Sequence, residues 1–126
     1  MKLLSGILLL ILSVMMLSAC GGTPTSPAPQ LKQILADGAV LVDVRTQSEV
    51  ESGSLAGAIH LPHGQILELP EKAAVNKDTP IVLYCRSGHR SGLATKALND
   101  AGYTNVHNGG GYQELKKTLE ESESKP

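Results

Sequence analysis

Two short apolar runs, A-V-L-V-D-V at 39–44 and P-I-V-L-Y at 80–84, restrict this chain more than any other feature. Neither alternates polar with apolar residues, so neither suits a strand with one wet face. Both fit strands covered on two sides, as in a parallel sheet between helices. The segments around them have helical spacing. Leu31, Ile34 and Leu35 share one face of a helix from Gln30 that Asp37-Gly38 stops, and Leu93, Ala94, Ala97, Leu98 and Ala101 form a stripe on a helix over 91–101, with Gly102 at C′. Thr46-Gln47-Ser48-Glu49 has the spacing of a capping box that starts a short helix ending at Gly53. Residues 58–61 and 105–107 make further brief strands. A helical stretch over 65–74 is shortened by Pro70, and Gly109-Gly110-Gly111 turns into a last helix carrying Tyr112, Leu115 and Leu119. Strand and helix alternating in this way give an α/β domain with a parallel sheet and helices on both faces.

Ligands of such sheets bind beyond the carboxyl ends of the strands. Cys85 stands there, at the end of I-V-L-Y-C and before R-S-G-H-R-S. The reactive form of a cysteine is the thiolate, and a free thiol with a pKa near 8.5 is mostly protonated at neutral pH. Four features predict a lower value: Arg86, Arg90, the amino end of the following helix, and backbone N–H groups curling around the sulfur. Gly88 allows the curl, since it accepts positive φ. The same cradle attracts an anionic substrate. Such chemistry requires a sulfur that small reagents can reach.

C-R-S-G-H-R-S at 85–91 resembles the active-site loop of single-domain rhodanese sulfurtransferases. L-V-D-V-R at 41–45, Glu49, G-S-L-A-G-A-I-H-L-P at 53–62 and A-G-Y-T-N-V-H-N-G-G-G-Y at 101–112 extend the resemblance over nearly the whole domain. Ser54, Ala56 and Tyr112 depart from the family's common residues without touching the nucleophile, and Pro27 and Pro29 occupy the place of its short first strand. The resemblance implies the rhodanese-like three-layer α/β fold, a parallel sheet of four to five strands. It also implies thiosulfate sulfurtransferase activity. Cys85 takes the outer sulfur of thiosulfate or a similar small anionic donor as a persulfide, then yields it to a thiol or cyanide acceptor. Arg86, Ser87, Gly88, His89, Arg90 and Ser91 make up the substrate-binding loop, with Arg90 and Arg86 on the donor's sulfonate. No cofactor is implied.

Other chemistries fit less well. Cysteine phosphatases and arsenate reductases resemble one another in having five residues between cysteine and arginine. Here four separate Cys85 from Arg90, a cradle better fitted to one added sulfur than to a tetrahedral phosphate. A persulfide carrier or redox-sensing module without turnover would use the same loop. His89, inside it, points outward and tunes specificity. Asp43 and Arg45 support the site, Asp43 by bonding loop backbone and Arg45 by pairing with Glu49. His60, His63 and His107 do not fall in a metal-ligand spacing, so no metal is expected. The triple glycine lacks the G-x-G-x-x-G pattern of dinucleotide sites and reads as a turn that lets backbone pass close to the active loop.

The amino terminus has a lone Lys2 before an apolar run from Leu3 to Leu17, then L-S-A-C at 17–20, which resembles the lipobox of bacterial lipoproteins. In that family residues 1–19 are a signal peptide and Cys20 is lipidated, each buried acyl methylene adding about 0.8 kcal/mol of anchoring. This implies an extracytoplasmic, membrane-anchored protein. The absence of an acidic residue at Gly21 places it on the outer membrane, facing the periplasm, if the source is Gram-negative. Residues 20–29 read as a lipidated cysteine and flexible tether, 30–121 as the domain, and 122–126 as a disordered tail. Removing nineteen of 126 residues leaves 107, room for one core. Without Lys2 the chain carries ten Lys and Arg against twelve Asp and Glu, and it has three Tyr and no Phe or Trp, which excludes a nucleic-acid surface. The expected state is a monomer. A thiolate outside the cytoplasm is exposed to oxidation, so a thioredoxin-like reductant is an expected partner.

Overall fold

The computed structural model describes residues 22–123. The signal peptide, Cys20 and the last three residues of the tail lie outside them. Four parallel strands form one sheet in the order β2-β1-β3-β4: β1 Val40–Asp43, β2 Ile59–His60, β3 Ile81–Cys85 and β4 Val106–Gly111. Thr25 adds a single parallel bridge to Asn108 outside β4. The helices are α1 Ala28–Ala36, α2 Gln47–Glu51, α3 Leu69–Lys72, α4 His89–Asp100 and α5 Tyr112–Glu123, with a 3-10 turn over His63–Glu68.

Side chains of β3 alternate between two cores, because successive residues of a strand point to opposite faces. Ile81, Leu83 and Cys85 join Val42, Val44, Leu61, Ile66, Leu69, Ala94, Leu98 and Tyr103 on the side covered by α4, α3 and the 3-10 turn. Val82 and Tyr84 join Leu31, Leu41 and Leu115 under α1 and α5. Every residue of β3 is buried. The sheet is therefore the middle of three layers, as the two apolar runs demand.

Several boundaries move. The domain begins before Gln30: the Thr23 N–H donates to the Gly92 carbonyl at 3.0 Å, the Ser26 N–H to that of Asn108 at 2.9 Å, and α1 starts at Ala28 with Pro29 in its first turn. The described part of the supposed tether thus lies along the domain. Proline suits that first turn because its missing N–H has no intrahelical partner there. The 65–74 stretch is a 3-10 turn followed by α3, again with proline in the first helical turn. In α4 the buried stripe is Ser91, Gly92, Ala94, Thr95 and Leu98, while Leu93 stays 39% exposed and Ala101 lies past the helix end, exposed. The apolar pattern pointed to a neighbouring face because it passed over the polar residues at 91 and 95. Thr95 is accommodated by donating its hydroxyl to the Ser91 carbonyl at 2.7 Å.

The triple glycine is strand rather than turn. Leu83 pairs with Asn108 and Tyr84 with Gly110, so Gly109 is the extra residue of a bulge, and Gly110 has φ +81°. A Cβ on Gly109 would lie 2.9 Å from Val82 Cγ1 and 3.0 Å from the Leu83 carbonyl oxygen. Only glycine lets the two strands meet this closely. The expected close passage to the active loop is present: Gly111 pairs with Cys85.

Candidate active site

Cys85 ends the central strand β3, and the chain turns at Arg86, Ser87 and Gly88 into α4. Gly88 caps the helix with φ +94° and ψ −8°, a left-handed conformation that costs other residues strain. The turn aims the Gly88 N–H at Cys85 Sγ, 2.9 Å away, and brings Ser91 Oγ to 3.4 Å. Burial pushes the Cys85 thiol up. Hydrogen bonds from the Ser91 hydroxyl and from the backbone of Ser91, Ser87 and Gly88 outweigh it, so the pKa is lowered overall. Of the four features expected to acidify the thiol, the loop and helix-start donors act and the arginines do not lead.

Arg90 is held elsewhere. Its Nη1 and Nη2 donate to Glu49 Oε2 and Oε1 at 2.8 and 2.9 Å, a two-pronged ion pair that brings Glu49 down to about 2. Glu49 is in turn the last member of the predicted capping box at Thr46. Arg45 does not pair with Glu49. Its Nε and Nη2 bond Asp43, with Nη2–Oδ2 at 2.6 Å, and Nη2 also donates to the Gly53 carbonyl at 2.6 Å. Burial raises the Asp43 carboxyl, but the Arg45 side-chain and backbone bonds hold it below the usual range. Asp43 accepts the Arg45 N–H as loop backbone, as expected, and the Ser54 hydroxyl as well. Arg45 also stacks 4.4 Å from the Tyr112 ring centre. The pair fixes residues 43–55 and meets no sulfur atom.

Arg86, Ser87 and His89 are exposed around the loop, while Ser91 is buried beneath it. Cys85 itself has 0% exposure. An open sulfur is therefore not what this conformation presents: the loop folds down over Sγ, and β4 closes from beside it. Among the described residues no three His, Cys, Asp or Glu side chains gather as a metal set.

Three contributors escaped the sequence. Asn108 is 1% exposed and bonds Thr23, Gly88, Ser91 and Gly110. Tyr84 accepts the Leu55 N–H at 3.0 Å and meets Ser54 Oγ at 3.0 Å. Thr25 puts Cγ2 and Oγ1 against Gly110 and Oγ1 near Gly88. An asparagine inside a glycine-rich strand was the one available signal.

Comparison with known proteins agrees with this fold. Residues 27–118 match the rhodanese-like domain. The thiosulfate sulfurtransferase PspE of Escherichia coli is 32% identical over 74 residues, 59% of this chain and 71% of its own. The human thiosulfate:glutathione sulfurtransferase is 32% identical over 108 residues, 74% of this chain and 93% of its own. Among solved structures, a human single-domain sulfurtransferase aligns with a TM-score of 0.62 at 28% identity, covering 76% of this chain and 97% of that one. A rhodanese with anions from E. coli aligns with 0.58 at 31%, covering 61% and 91%.

Proposed function

This chain belongs to the rhodanese-like family, and on that premise we propose that Cys85 is the atom-carrying residue of a thiosulfate-type sulfurtransferase. The Cys85 thiolate attacks the outer sulfur of thiosulfate. A bond forms between Sγ and that sulfur, its bond to the sulfonate sulfur breaks, and the electron pair leaves with sulfite. An acceptor nucleophile then attacks the terminal sulfur of the persulfide and returns the thiolate. Cyanide becomes thiocyanate, and a thiol becomes its own persulfide.

The observation carrying this is the Gly88 N–H at 2.9 Å from a buried Sγ whose pKa is nonetheless lowered. Donors fixed before reaction stabilise charge on sulfur without reorganising. Arg86 and His89, exposed at the loop, receive the anionic donor, while Arg90 holds the loop to α2 through Glu49. The loop must yield enough to admit one sulfur atom. Thiocyanate formation from thiosulfate and cyanide tests the activity: wild type turns over, and Cys85→Ser neither turns over nor gains a sulfur by mass spectrometry. Wild-type turnover retained by Cys85→Ser would refute it.

A carrier that stores persulfide for a partner would use the same loop and the same Cys85 persulfide. Such a protein takes up one sulfur and stops. For location, the n-region, apolar run and L-S-A-C at 17–20 support lipidation at Cys20 and an extracytoplasmic domain, and with that location a thioredoxin-like reductant that keeps Cys85 usable. Acyl mass on Cys20, and loss of activity in cells without extracytoplasmic thiol reductants, test these.

A further inference from the structure

Asn108 spends its whole amide around the sulfur loop. Nδ2 donates to the Thr23 carbonyl at 2.8 Å and to the Gly88 carbonyl at 3.0 Å; Oδ1 accepts the Gly110 N–H at 2.9 Å and the Ser91 hydroxyl at 2.6 Å. The two carbonyls can only accept, so they fix the amide with Oδ1 toward Ser91. Ser91 Oγ also lies 3.4 Å from Cys85 Sγ. One hydroxyl proton thus faces two acceptors, and the nearer is Asn108.

We infer that Asn108 is a positioning residue for sulfur transfer, which holds the Ser91 proton whenever Cys85 carries sulfur and competes for it when Cys85 is a free thiolate. This rests on the Cys85 persulfide described above. A thiolate is a strong acceptor and draws the Ser91 proton toward Sγ. Once Sγ is bonded to a second sulfur it is neutral and a weak acceptor, and the proton swings to Oδ1. Ser91 is fully buried, out of contact with bulk solvent. Asn108 therefore gives it a partner in the loaded state, favouring the persulfide over the thiolate.

The pH dependence of iodoacetamide alkylation of Cys85 reads the first half of this, and the equilibrium fraction of persulfide at a fixed thiosulfate-to-sulfite ratio reads the second. Asn108→Ala frees the proton for sulfur, so the alkylation midpoint falls by about half a pH unit and the persulfide fraction drops about threefold. Ser91→Ala raises the midpoint. Adding Asn108→Ala to Ser91→Ala moves neither quantity further, because the effect passes through the hydroxyl. A rise in midpoint with Asn108→Ala, or an equal change in the Ser91→Ala background, overturns the inference. Should Asn108→Ala not fold, Asn108→Leu, which keeps the size of the side chain and removes the acceptor, carries the same expectations. Wild-type protein that never forms a persulfide would defeat the sulfurtransferase reading instead, whereas normal wild-type loading with an unchanged Asn108→Ala profile defeats only the role of Asn108.

Discussion

Gly111→Ala places one methyl group against the backbone of the loop that follows Cys85. Gly111 pairs with Cys85 at the end of β4, and a Cβ there would lie 2.7 Å from the Arg86 carbonyl oxygen, 3.4 Å from its carbon and 3.5 Å from Ser87 Cα. All three are backbone, so no rotamer change relieves the contact. Ordinary van der Waals contact begins at 3.4 Å, which leaves about 0.7 Å to be found by moving residues 86–87 or the end of β4. Those residues lead directly to the Gly88 N–H, whose 2.9 Å bond to Sγ would lengthen or lose its aim. Overpacking of this kind destabilises by about 1 to 3 kcal/mol. Misplacing a reacting group by about 1 Å costs on the order of 10²-fold, so a fall of about 10- to 100-fold in kcat/KM is expected for thiosulfate:cyanide transfer. Gly64→Ala is the control, since a Cβ there meets nothing within 4 Å. Thermal melts establish that both variants fold, and initial rates of thiocyanate formation compare them. A folded Gly111→Ala protein with wild-type kcat/KM would show that the loop's main-chain geometry does not set the rate.

Two further outcomes follow from the ion pair and from the buried tyrosine. The Glu49 carboxyl titrates at about 2 rather than 4.5, chiefly through Arg90 and then the Thr46 N–H, so its stabilisation is complete above pH 4.5 and lost as pH falls toward 2. The pair's side chains are about a quarter exposed, and after solvent screening it contributes about 1 kcal/mol. Glu49→Gln should therefore be less stable than wild type at pH 6 by about that amount and nearly equal to it at pH 2. Urea melts at the two pH values check this, and an unchanged gap would contradict it. Tyr84→Phe leaves the Leu55 N–H without its acceptor, costing about 1 to 3 kcal/mol in denaturant melts. Transfer per folded molecule should be retained, because Tyr84 faces α1 and α5, away from Cys85.

The covalent order of the chain already determined the layers, the place of Cys85 at a strand end and the helix that follows it. Runs such as I-V-L-Y-C are apolar at every position and have no stable home but a sheet covered on both sides, and the end of such a strand is where a loop can gather main-chain donors. The capping box at Thr46, the glycine at 102 and the glycine at 88 were legible for the same reason: each is a local backbone requirement met by a residue type. Partners distant in sequence were not. Arg90 is 41 residues from Glu49, and Asn108 is 85 from Thr23 and 17 from Ser91. Charge alone allowed Glu49 either arginine. Arg45 turns back to the carboxylate two residues before it, which leaves Glu49 to Arg90 on the loop after β3. Likewise no periodicity marks Asn108, whose use depends on a bulge at Gly109 that sets β4 against the loop after β3. Local backbone chemistry is written along the chain, whereas which of several equivalent charges and amides meet is fixed only when strands choose their register.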